Sequence, residues 1–168
     1  PDLNGSWLGP TLLAVPSTFT PGTSAPGLYR YVVAGTAPCE NDTAFVTVVV
    51  NTAPSAGTNG SLSICSDASS VNLFTLLGGS PNSGGTWTNP NTQPFGGTYD
   101  PSNPQHPEGA YTYTVTGLSP CANATAFVVV NEEQQPMAGS NGTISVCSDA
   151  SPFDLFGELN GNPDNGGS

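Results

Sequence analysis

From Ala110 to Thr116 the chain reads Ala-Tyr-Thr-Tyr-Thr-Val-Thr, with a larger apolar side chain on every second residue. A period of two marks a half-buried antiparallel strand and puts Tyr111, Tyr113 and Val115 on one face. The segment GAYTYTVTG (109–117) is therefore the clearest strand. Shorter runs at SLSIC (61–65), GTWTN (85–89), GGTYD (96–100) and TAFVVVNE (125–132) predict others. Gly and Pro break these runs about every ten residues, which predicts an all-β sandwich. One short helical turn is expected after each CSDAS, with Ser69 or Ser151 as N-cap and Pro152 at the first helical position. Leu73, Phe74 and Leu77 would then face inward. Trp87 sits at a strand centre, as does Trp7, and both are expected in the core with Tyr111 and Tyr113. The alternative for a Trp at this position is an exposed platform for stacking on sugars.

The pattern repeats. Cys39 and Cys121 stand 82 residues apart, and so do Cys65 and Cys147. Residues 54–86 match 136–168 at 18 of 33 positions. GLYRYVVAG (27–35) lines up with GAYTYTVTG (109–117), and PDLNGSW (1–7) with PNSGGTW (81–87). The Trp spacing is 80 rather than 82, so one copy carries a two-residue insertion between the Trp and the Tyr-rich strand. The chain is thus expected to be a stretch of a longer tandem array. The Pro-containing segments after VVVN place boundaries near residues 53 and 135. On this reading 1–53 is the later part of one repeat, 54–135 a complete repeat and 136–168 the first part of the next.

Composition narrows the function classes. Among 168 residues there are 21 Gly and 17 Pro, charged residues make up 8%, and the net charge is −11 with Arg30 as the single fixed cation. A disordered chain has no reason to concentrate Val, Tyr, Phe and Thr in alternating runs, so the Gly and Pro content is read as turns. The acidity argues against nucleic acid and against docking on anionic membranes, both of which need basic surface. No apolar run approaches a membrane span, and no leader is read at residue 1.

Candidate chemistry is sparse. His106 is the sole His, and the matching position in the other copy is Ser24, so it is read as a solvated loop residue rather than a general base. No catalytic set can be assembled twice, and no enzyme is expected. Asp67 and Asp149 recur in CSDAS and Asp100 lies in TYDPS, which raises calcium. Such a site needs six to eight oxygen ligands, and no dense acidic run supplies them, so Asp67 is read as a turn cap and no cofactor is expected. Without a CxxC pair, and with one His, a zinc site has no framework. Sequons occur at Asn4, Asn41, Asn59, Asn123 and Asn141.

Four Cys admit three full pairings, and in a repeat array partners can lie outside the chain. The preferred pairing joins Cys65 to Cys121 within the complete repeat, because immunoglobulin-like order would bring both to one pole, with Cys39 and Cys147 pairing beyond the chain. The rival joins Cys39 to Cys65 and Cys121 to Cys147, clamping neighbours. Paired cysteines imply an oxidising, extracellular address. A chain without Lys cannot form Lys–Asn isopeptide cross-links.

The residues P-x-A-G, C-S-D-A-S, L-F, G-G-x-W, G-x-Y-x-Y-x-V, P-C and A-x-V-x-V, in that order over the whole chain, resemble the repeat modules of giant bacterial surface adhesins, including the gliding-motility type exported by the type IX route. The resemblance implies immunoglobulin-like or PKD-like sandwiches strung into an extracellular stalk or filament. Partners would be neighbouring repeats, other copies in a filament, or surface glycans. Asp42-Thr43-Ala44 resembles the short Asp-Thr-aliphatic sites that receive O-glycans in bacteria using that route, which makes Thr43 a candidate. A carbohydrate-binding module is the alternative function.

Overall fold

The computed structural model describes residues 5–165, so the Asn4 sequon and the outer ends of the two terminal motifs lie outside the described residues. The fold is all-β, with helix limited to two single 3₁₀ turns among the described residues. The chain divides into two compact units: one runs to Pro54 and includes the loop Gly117–Ala122, and the other holds the remainder.

The first unit contains β1 (Ser6–Leu8), β2 (Ala14–Val15), β3 (Gly27–Val33) and β4 (Asp42–Val48). They form one sheet in the order β2-β1-β3-β4, with antiparallel neighbours throughout. Trp7 faces Tyr31 across the β1–β3 ladder, and Tyr29 faces Val46 across β3–β4.

The second unit contains β5 (Gly60–Cys65), β6 (Val71–Asn72), β7 (Thr86–Thr88), β8 (Pro94–Phe95), β9 (Thr98–Tyr99), β10 (Gly109–Val115) and β11 (Ala124–Glu133). Five of these make a sheet in the order β5-β11-β10-β7-β8, and β6 pairs with β9 in a two-stranded sheet. One face of the larger sheet is buried. Tyr111, Tyr113 and Val115 on β10, Ala126, Val128 and Val130 on β11, Trp87 on β7 and Ile64 on β5 join Leu73, Leu77 and Tyr99 in a single core. The alternation read from the sequence is what produces this, since residues two apart on a strand share a face.

The two units repeat each other's register. Gly109 to Val115 pair with Val130 to Ala124 in the second unit, and Gly27 to Val33 pair with Val48 to Asp42 in the first, which is the same ladder 82 residues earlier. Trp87 faces Tyr113 as Trp7 faces Tyr31. Even the tight hairpin turns match, with Leu12 and Thr92 both at positive φ.

The helical turn differs from expectation. It spans Leu73–Leu76, four residues beyond Ser69, and its N-cap is Asn72, whose Oδ1 accepts from the Phe74 N–H at 3.0 Å. In the later copy the turn is Phe156–Glu158, where Asp154 Oδ1 accepts from the Phe156 N–H. Neither Ser69, Ser151 nor Pro152 starts a turn. An Asx side chain two residues ahead of the first free N–H supplies a stronger local acceptor, and β6 occupies the residues between. Short β6 and β8 escaped sequence reading because two residues carry no periodicity.

Candidate functional site

The aromatic core is built by hydroxyls as much as by rings. Trp87 is 8% exposed and packs against Tyr113 with ring centroids 5.0 Å apart. The Tyr113 hydroxyl donates to the Asn82 carbonyl at 2.7 Å and accepts from the Gly85 N–H at 2.8 Å, tying the loop before β7 to β10. A Cβ at Gly85 would fall 2.6 Å from the Tyr113 ring, so this approach requires Gly. Tyr99 donates to Glu132 Oε2 at 2.7 Å, and Tyr111 donates to the Pro107 carbonyl at 2.8 Å. Tyr29 makes the matching bond to Ala25 in the first unit. Each buried polar tip thus has a partner, as burial demands.

Burial raises the Tyr99 hydroxyl above the ordinary tyrosine range, with the hydrogen bond to Glu132 adding to it, and burial pushes Tyr111 up to about 12. The folded state therefore holds these protons more tightly than the unfolded chain, whose tyrosines titrate near 10. The stability this confers is fully present below the unfolded value and is lost as pH rises from about 10 through 12. Thermal melts should show a falling midpoint across that window. Tyr111→Phe should flatten the fall while lowering stability at neutral pH through the lost hydroxyl bond. An equal slope in both proteins would refute the assignment.

His106 departs from the reading of a merely solvated residue. Its Nδ1 accepts from the Asp100 N–H at 3.0 Å, and its ring packs on Phe95 at 5.1 Å. Ser24 Oγ accepts from the Thr20 N–H at 3.0 Å in the first unit. The two-residue insertion therefore lies between Asp100 and His106, where a longer side chain closes a longer loop.

The carboxylates do not converge. Asp100 Oδ1 accepts from the Ser102 N–H and Oγ, and these bonds hold its carboxyl below the usual range. The turn at Asp67 is closed by the Ala68 N–H to the Cys65 carbonyl. Asp149 lies exposed in the later copy of the same turn. Among the described residues no three His, Cys, Asp or Glu side chains come together in a metal-ligating group. Thr43 is exposed on β4, with its N–H bonded to Asp42 Oδ1.

The four thiols are free. The expected Cys65–Cys121 bridge is overturned by strand direction. β5 runs parallel to the last strand β11, with Cys65 beside Glu133, so it runs against β10 and ends at the opposite pole from the loop that holds Cys121. Ala124 to Glu133 spans about 30 Å at ~3.3 Å per residue. Cys121 can lie at most about 11 Å from Ala124 along the chain. That leaves the two Cα atoms at least roughly 14 Å apart, twice the reach of a disulfide. The reading failed because it took SLSIC as the second strand of the sandwich order, whereas it is the first and pairs with the last.

Two features had no clear signal in the sequence. The outer edge of β4 has no partner strand among the described residues, whereas β11, its match, is covered by β5. Val46 is accordingly 47% exposed, against full burial of Val128. The loop Gly117–Ala122 belongs to the first compact unit, where the Ser119 carbonyl accepts from Asn51 Nδ2 at 2.7 Å. The Cys121 thiol in that loop lies 3.4 Å from the Asn51 carbonyl. No family model and no curated protein matches this chain.

Proposed function

We propose that the chain is a non-enzymatic segment of a tandem array of immunoglobulin-like β-sandwiches, acting as a spacer in an extracellular bacterial surface filament or adhesin stalk. The observation that carries this reading is the β-ladder of the second unit recurring at the same register 82 residues earlier in the first. Three details support the sandwich type. Trp87 is buried on the strand beside the penultimate one. Tyr111 begins that penultimate strand and returns its hydroxyl to the backbone four residues upstream, in the manner of a tyrosine corner. The short β6–β9 pair supplies Tyr99, and the adjoining turn Leu73, to the buried face of the larger sheet.

The sugar-binding alternative depends on an exposed indole, and the Trp87 ring is buried. A stalk needs rigidity and solubility instead, and both have a source. Pro54 and Pro136 stiffen the junctions, and a negative field without Lys discourages adhesion to other anionic surfaces. Small-angle scattering on chains with increasing repeat number tests the proposal. The long dimension should grow linearly, by about 35–45 Å per repeat, from strands of roughly ten residues at ~3.3 Å each plus a short link. Growth as the square root of repeat number would refute the stalk. Specific glycan binding by the same chains would favour the alternative.

A further inference from the structure

We propose that the cysteines clamp consecutive repeats: the cysteine ending the first strand of one repeat bonds to the cysteine in the polar loop of the next. This rests on the tandem-array reading above and differs from both pairings that the sequence suggested.

The argument turns on one backbone position seen twice. In the second unit that position is Glu133. Cys65 is its neighbour in the parallel ladder, and the Ser66 N–H donates to the Glu133 carbonyl at 2.9 Å. In the first unit the equivalent residue, 82 earlier, is Asn51. There the Asn51 carbonyl meets the thiol of Cys121 at 3.4 Å, and the Asn51 side chain holds the same loop through Ser119. The identical registers of β3–β4 and β10–β11 license placing one view on the other. Done so, the strand-end cysteine of one repeat and the loop cysteine of the following repeat both lie beside the same residue. Adjacent strands are about 4.8 Å apart, and a disulfide joins Cα atoms roughly 4.4–6.8 Å apart.

The rule also accounts for the four free thiols. Cys65 would pair with the loop cysteine of the repeat after residue 168. Cys121 would pair with the strand-end cysteine of a repeat whose beginning lies before residue 1. Cys39 and Cys147 likewise look outward, so no pair falls inside the chain. Bond formation removes two protons and two electrons from the thiols. A disulfide oxidant, such as oxidised glutathione or an exchange protein, accepts them and is itself reduced to two thiols.

The test extends the full chain at its C terminus with a second copy of residues 87–135, which completes the third repeat, and marks that copy by Thr125→Ser as a mass tag. After oxidation by glutathione disulfide, a non-reduced digest should show Cys65 joined to the copied Cys121 in the tagged segment. Cys39, the original Cys121 and Cys147 should alkylate as free thiols. A Cys65 bridge to the original Cys121 or to Cys39, or a bridge from Cys121 to Cys147, overturns the clamp. Hydrogen exchange over residues 143–148 separates the failures. Protection there with Cys65 unpaired overturns the clamp and leaves the array reading intact, whereas no protection overturns both.

Discussion

Trp87→Ala should collapse the complete repeat, while Trp7→Ala should cost far less. Both indoles occupy the same ladder position and meet a Tyr at about the same distance, 5.0 Å to Tyr113 and 5.2 Å to Tyr31. Their surroundings differ. Trp87 is buried in a core that includes Ile64, Leu73 and Leu77, and Phe74 also packs on its partner Tyr113. Trp7 is half-buried, and among the described residues the first unit has no counterparts of that cover. Truncating a buried Trp costs about 3–5 kcal/mol through lost transfer energy and the cavity left behind. A domain this small starts near the low end of roughly 5–15 kcal/mol, so the loss leaves a large unfolded fraction. Trp7→Ala removes less buried area, for roughly 1–2 kcal/mol. Denaturant titration followed by hydrogen exchange on β10 and β3 reads the two units separately. Equal losses at the two sites would show that burial does not distinguish them.

The legible part of the fold was the part governed by period and recurrence. Tyr111-Thr112-Tyr113-Thr114-Val115 fixes a strand and its buried face by side-chain alternation alone, and the 82-residue recurrence carries the same reading to Tyr29 and Tyr31. What escaped was set by contacts distant in sequence. The parallel pairing of β5 with β11 joins residues about seventy positions apart, for example Cys65 with Glu133, and no local pattern states which edge a first strand takes. That one choice reversed the pole on which Cys65 lies and with it the disulfide expectation. His106 was read from its isolation, whereas its role follows from the loop it closes. The alignment of His106 with Ser24 already held the clue, since both can accept a backbone N–H. The N-cap slipped from Ser69 to Asn72 because both residue types cap well and the intervening β6 was too short to see.

The 168-residue chain by itself should associate head to tail, and more strongly at high salt. β4 presents an unpaired edge with Phe45 57% and Val46 47% exposed. In the second unit the matching edge is closed by β5 and the residues that follow it. A second version of that closing segment is present at residues 136–165, outside any strand and with its apolar side chains uncovered. Val146 is 56% exposed where its counterpart Ile64 is 8%, and Leu155 is 68% where Leu73 is fully buried. The segment of one copy therefore has the side chains and the strand register that the first unit of another copy lacks. Exposed edges are templates for this kind of addition. Covering five or so large apolar side chains at about 1.5–3 kcal/mol each opposes an association cost of roughly 4–15 kcal/mol, which puts the equilibrium in about the micromolar range or weaker. The net charge of −11 on each copy repels the other, so screening by salt should shift assembly to lower concentration. Sedimentation velocity across a concentration series would read the effect as a growing ladder of species. Val146→Pro removes a ladder N–H and should hold the chain monomeric, as should deletion of residues 136–168. A wild-type chain that stays monomeric at about 100 μM in high salt would show that the β4 edge does not accept this segment, because self-complementation of such affinity would populate oligomers there.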